Sequence, residues 1–281
     1  MKAKRLFSIL FFIAASVGMQ AFAGDKEDAL QLLKNKQPKK AFVLMKKAAE
    51  AGEAEAQAYL SIMYQTGKGV KQDHAAAMKW MRTAADQGHL IAIHDVGVFY
   101  EQGIGVKQDF TEALKWYKKA AEKGDPDAED RVGAYYRFGL GGLKQDYAES
   151  FKWFMKAAEK GNAKAQFHVG VSFDAGQGVQ KDNRAAVYWY AKAAMQNHPD
   201  ALNSVGLMLL EGVGTEKMPK EGLELIEDAA NLGVAEAQCN MGIEYESGRY
   251  LKADKAKARE WYEKAAAQGN QEAKQRLKDL K

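Results

Sequence analysis

The sequence predicts an all-α fold, an α/α superhelical repeat solenoid of about six full 36-residue units with capping helices. Three observations predict it: one long period, two helical patterns within each period, and turn residues at fixed places between them. Trp80, Trp116, Trp153, Trp189 and Trp261, with Leu225 in the open slot, stand 36, 37, 36, 36 and 36 residues apart. The one longer step coincides with an extra residue in "GLGGLKQD", around Gly142. Ser61, Gly97, Gly133, Gly170, Gly206 and Gly242 keep the same rhythm.

The first pattern of each unit is seen in "AIHDVGVFY", where Ala92, Val96, Gly97 and Tyr100 share one helical face. A glycine inside a helix costs about 1 kcal/mol against alanine, so its recurrence predicts close approach of a neighbouring helix. The second pattern, "FTEALKWYKKAAEKG", places Ala113, Leu114, Trp116, Tyr117, Ala120 and Ala121 in one apolar stripe. Asp109 and Asp146 sit at predicted N-caps, with Glu112 and Glu149 three residues on in the capping-box arrangement. Asp73, Asp182 and Asp254 keep the cap alone. Gly88, Gly124, Gly161, Gly233 and Gly269 provide the positive-φ stop. Pro38, Pro126, Pro199 and Pro219 all fall in predicted first turns, where a missing N–H does no harm.

These landmarks divide the chain into units 54–89, 90–125, 126–162, 163–198, 199–234 and 235–270. A capping helix pair is predicted over 24–53 and a polar-faced capping helix over 271–281. No unit can bury its stripe alone, so the sequence predicts one continuous solenoid domain. Residues 1–23 read as a cleavable secretory signal: Lys2, Lys4 and Arg5, an apolar run from Leu6 to Val17, then Ala21-Phe22-Ala23. The run is shorter than the roughly 20 residues of a spanning helix, and no later segment is apolar for long enough.

Cleavage after Ala23 removes three basic residues and brings the formal net charge from +4 to +1. A near-neutral surface with both signs interspersed gives no footprint for nucleic acid. Cys239 is the only cysteine, so no disulfide forms within the chain and packing alone must hold it.

The strings A-x-x-x-[LV]-G-x-x-Y, G-x-G-V-x-x-D and A-x-x-W-[YF]-x-x-A-A-x-x-G together resemble the Sel-one-like repeat (SLR) family, relatives of tetratricopeptide repeats with a longer inter-helix loop. The resemblance spans essentially all of the chain after the signal, with local departures at Leu225, Pro219 and Tyr250, the last in place of the second loop glycine. It implies a superhelix whose first helices line the concave side. It also implies an adaptor that holds other proteins or peptides, with exported bacterial members linked to envelope processes or host contact. Fold alone does not give function.

Chemistry-bearing motifs are absent from the sequence. Gly103-Ile104-Gly105 has no third glycine at phosphate-loop spacing and recurs as a turn in each unit. His74, His89, His94, His168 and His198 form no H-E-x-x-H or i, i+4 ligand pair, so no metal and no cofactor is expected. Some cysteine-rich secreted members of the repeat family have been labelled β-lactamases, and that resemblance would imply a cysteine pair in each unit. This chain lacks such pairs, and S-x-x-K and K-T-G as well. The expectation is therefore no enzyme and no catalytic residues, with a β-lactam or cell-wall hydrolase and a purely structural envelope protein as the alternatives.

Residues that recur build the frame, and specificity falls to those that vary. On the tetratricopeptide analogy, groove positions lie two and three residues before the helix glycine and four after it. They are Tyr59, His94, Asp95, Asp130, Arg131, Arg137, Phe167, His168, Asn203 and Asn240. The expected partner is a protein or peptide, met in the periplasm or outside the cell.

Overall fold

The computed structural model describes residues 24–280, so the signal segment 1–23 lies outside the described residues. Among these, every regular element is an α-helix. The first, α1, is described over 24–34. There follow α2 (Pro38–Glu50), α3 (Ala54–Thr66), α4 (His74–Asp86), α5 (Leu90–Gln102), α6 (Phe110–Glu122), α7 (Pro126–Phe138) and α8 (Tyr147–Glu159). The chain continues through α9 (Ala163–Ala175), α10 (Asn183–Ala194), α11 (Pro199–Glu211), α12 (Pro219–Asn231), α13 (Ala235–Ser247), α14 (Lys255–Ala267) and α15 (Gln271–Asp279). Helix pairs α3–α4 through α13–α14 are the six units of the sequence period. Spatial contacts gather these helices into two units. One runs to Ala128 and takes in Gly139–Leu143, and the other comprises Glu129–Phe138 and the chain from Lys144 onward.

Within the first unit, Ala41, Met45, Ala56, Leu60 and Met63 form a closed core, against which Tyr59, Tyr64 and Trp80 pack. In the second, Phe154, Ala157, Val169 and Trp189 make one cluster, and Tyr190, Val205, Leu210, Ile226 and Met241 belong to a larger one. The helix glycines provide the expected close approach. A Cβ on Gly97 would stand 2.7 Å from the Tyr117 ring, and one on Gly170 would stand 2.5 Å from the Tyr190 ring. Gly133 meets Phe154 and Gly242 meets Tyr262 in the same way. Ser61 takes the glycine slot of the first full unit, and Met81 stands where the other units place Tyr117, Phe154 or Tyr190. The Ser61 hydroxyl donates to the Ala77 carbonyl at 2.6 Å.

The loops show why the second helix begins where it does. Asp73, Asp109, Asp146, Asp182 and Asp254 each accept N–H groups from the first turn that follows. Their own N–H groups donate back to Tyr64, Tyr100, Tyr136, Phe173 and Tyr245 at 2.9–3.0 Å. This last bond corrects the capping-box expectation. The cap N–H is already satisfied by the preceding helix, so Glu112 and Glu149 pair with Lys115 and Lys152 instead. Asp109→Ala should therefore lower stability by about 1 kcal/mol, and Glu112→Ala by much less, in denaturant unfolding.

Candidate binding face of the first helices

The varying slots are brought together diagonally. The residue three before one helix glycine meets the residue two before the next. In the second unit, the Asp130 carboxylate lies 2.7 Å from His168 Nδ1. Two repeats further on, Asn240 Nδ2 donates to Asn203 Oδ1 at 3.0 Å. Asp130 and Asn203 are buried and their partners half-buried, so each pair fixes a partly exposed polar group in place. Phe167 extends this row with an aromatic cluster. Its ring stacks on His198 at 4.8 Å and 16°, and lies 5.9 Å from His168 and 5.6 Å from Tyr190. His168 in turn lies 4.5 Å from the Phe154 ring.

The remaining expected positions are less alike. In the first unit, Tyr59 is half-buried against the core between α2 and α3. His94 hydrogen-bonds Asp95, its neighbour in sequence, at 3.1 Å and lies 5.5 Å from the Tyr117 ring. Burial opposes protonation of His94, but the Asp95 hydrogen bond and the charges of Asp95, Asp125 and Asp127 raise its pKa above the ordinary value of 6.5. In the second unit, Arg131 is exposed and Arg137 half-exposed, the latter with its guanidinium 5.9 Å from the Phe138 ring. Arg137 occupies a slot held by Glu101, Asp174 and Glu246 in other repeats. Glu101 and Glu246 accept from the hydroxyls of Tyr117 and Tyr262. The aromatic facing the Arg137 repeat is Phe154, which has no hydroxyl to satisfy.

His198 lies outside the expected set yet helps to build the face. Its Nδ1 caps α11 by accepting from the Ala201 N–H at 3.4 Å. Burial, with the charges of His168 and Lys164, pushes its pKa below the ordinary 6.5, against Asp200 and Asp130. A depressed folded-state pKa means the unfolded chain binds the proton more readily. The contribution of His198 to stability is then complete above about pH 6.5 and falls as pH drops through the folded pKa. Asn162 and Asn270 hold the same cap by a side chain that does not titrate in this range. His198→Asn should flatten the pH dependence of thermal unfolding between pH 5 and 7 while leaving the neutral-pH stability nearly unchanged.

A second set of side chains escaped the sequence reading. Gln57, Gln166 and Gln238 are buried and each donates to a carbonyl of the preceding second helix, at 3.0–3.2 Å. Each also accepts from a glutamine 30 residues on, Gln87, Gln196 or Gln268, at 2.7–2.8 Å. The signal was present as a fixed separation with matched exchange. In the unit starting at 126 the pair becomes Glu129 and Lys160, and in the unit starting at 199 it becomes Leu202 and Leu232. This clamp belongs to the frame.

Among the described residues, no group of three or more His, Cys, Asp or Glu side chains converges as metal ligands. Burial pushes the Cys239 thiol up to about 11, which leaves it protonated and unreactive. No helix among the described residues is long and apolar enough to cross a membrane.

Comparison with known proteins agrees with this architecture. The Sel1 repeat model matches residues 27–53, 54–89, 90–125, 126–162, 163–198, 199–234 and 235–270. The chain belongs to the Sel1 repeat family. The 27–53 match makes seven Sel1 repeats and falls within the segment 24–53 read from sequence as a capping pair. Sel1 repeat proteins are generally non-catalytic scaffolds for protein interaction. A Sel1 repeat protein from Oxalobacter formigenes is 32% identical, with a TM-score of 0.81 over 86% of this chain and 99% of its own. A protective antigen of uropathogenic Escherichia coli with an SLR fold is 31% identical at a TM-score of 0.78. That match covers 91% of this chain but only 56% of the antigen, so the chain spans little more than half that relative's length. An immunity protein from Pseudomonas aeruginosa, 17% identical with a TM-score of 0.50, shares the fold alone, over 79% of this chain and 84% of its own. Among curated proteins none matches.

Proposed function

We propose that this chain is an exported Sel1 repeat scaffold that binds a protein or peptide partner along the face of its first helices, in an envelope process or in contact with a host. The observation that supports this most directly is the diagonal pairing of Asp130 with His168 and of Asn203 with Asn240. Side chains that vary between repeats are held in fixed rotamers before any partner arrives. Less conformational entropy is then lost on binding, at about 0.5–1.5 kcal/mol per side chain already ordered. Phe167, half-exposed between two imidazoles, has the character of an aromatic anchor. Arg131 and Arg137 add positive charge on the same helix row. The export element rests on the pattern of residues 1–23, and the likeness to a protective antigen accords with a host-facing location.

In-cell crosslinking of the tagged protein followed by mass spectrometry tests the reading. The double variant R131E/R137E should lose the partner crosslinked by the parent chain, with its helical circular dichroism unchanged. An identical set of crosslinked partners would remove the first-helix face from the account.

A further inference from the structure

The last full repeat breaks a rule the others keep. The second loop glycine, Gly69, Gly105, Gly141, Gly178 or Gly214, has a positive φ in every earlier full repeat. A Cβ there would fall within 2.7 Å of the carbonyl oxygen at the start of the preceding second helix: Pro38, His74, Phe110, Tyr147 and Asn183 in turn. In the last full repeat the residue is Tyr250, whose φ is not positive, and the helix opposite starts at Pro219. A tyrosine cannot enter a contact that has no room for a Cβ. Its hydroxyl donates instead to the Leu210 carbonyl at 3.3 Å, and Lys217 and Arg249 lie 5.2 and 4.6 Å from its ring. Arg249 is also held by both oxygens of Glu211, at 2.6 and 3.0 Å.

Beside this altered loop lies a cleft of about 500 Å³. Its apolar walls include Leu223, Met241, Tyr245, Tyr250 and Leu251, and Lys220, Glu224 and Glu227 supply the charges. Glu224 and Glu227 stand one turn apart on α12, and among the described residues neither forms an ion pair. Alone among the second helices, α12 has strong negative charge. Lys220 against Glu221, Glu224, Glu227 and Asp228 leaves it at −3, whereas α8 is neutral and α2, α4, α6, α10 and α14 are net positive. It also has Leu225 and Asp228 where α6, α8, α10 and α14 place a tryptophan with a lysine 4.0–4.9 Å from its ring.

We propose that this cleft is a second binding site, which takes a bulky apolar side chain of a peptide segment whose neighbouring residues are basic. The apolar walls desolvate the side chain, and the carboxylates of Glu224 and Glu227 receive the adjacent cations at the mouth. Both features come from departures in two adjacent repeats, in α12 of one and in the loop before α14 of the next. The cleft shares no residue with the expected first-helix positions, although Met241 and Tyr245 belong to α13.

A random twelve-residue phage-displayed peptide library, panned on the chain from Gly24 onward, tests the proposal. Enriched peptides should place leucine, phenylalanine or tryptophan next to lysine or arginine. A fluorescein-labelled copy of one enriched peptide should bind at least tenfold more weakly to E224K/E227K and to Y250G, the latter restoring the loop glycine. R131E/R137E should bind the same peptide as the parent does, which keeps this site distinct from the first-helix face. Absence of enrichment, enrichment of acidic peptides, loss of binding in R131E/R137E, or unchanged binding in both cleft variants would each overturn it.

Discussion

Replacing Lys156 and Lys160 together by methionine is expected to destabilise the protein by about 3–5 kcal/mol, the cost of leaving a buried charge without its partner. The charge is that of Glu129, whose side chain has no exposed surface. The ammonium groups of Lys156 and Lys160 converge on one of its oxygens at 2.9 and 2.8 Å, and the other oxygen has no hydrogen-bond partner. The pair stands where three other repeats place a glutamine on a glutamine. The chain therefore contains the design of its own rescue. E129Q/K160Q should rebuild the neutral clamp and unfold within about 1 kcal/mol of the parent, because both polar groups regain a partner and no charge is buried. Chemical denaturation of the three proteins decides the matter. A loss of under 1 kcal/mol in the double methionine variant would show that water reaches Glu129.

Gly105→Val is expected to cost about 3–5 kcal/mol, while Gly142→Val costs about 1–2 kcal/mol. Both residues have positive φ, 68° and 83°, so both valines pay the same backbone strain. They differ in what surrounds them. A Cβ on Gly105 would fall on the carbonyl of His74, a backbone group fixed by the first turn of α4, whereas one on Gly142 meets nothing within 4 Å. The difference between the two melts measures the docking of loop on helix apart from φ strain. Equal losses would mean that the loop yields and the close approach is not needed. The contrast also locates the inserted residue of the longer repeat. Gly141 makes the contact with Phe110 that Gly105 makes with His74, so Gly142 lies in the bulge beyond it.

Periodicity was legible because every repeat solves the same packing problem with the same residue types. The stripe of Ala113, Trp116, Tyr117 and Ala120, the cap at Asp109 and the stop at Gly124 are local choices, and local choices leave a pattern in the chain. Even the first-helix glycine announced its neighbour, since Gly97 is costly within a helix unless something must come close. The face was read less completely. The slots of Asp130, His168, Asn203 and Asn240 could be named by analogy. Their pairing joins residues 37 or 38 positions apart, and no single-repeat pattern encodes it.

By itself, then, the sequence determined the helices, their ends, their repeat length and their buried stripes, because hydrophobic spacing and capping act within a few residues of one another. Tertiary structure alone decided which polar groups meet. Glu129 found Lys160, His198 stacked on Phe167, and Tyr250 stayed out of the contact its predecessors make. Those outcomes depend on distances of a few ångströms between neighbouring repeats, which spacing along the chain does not specify.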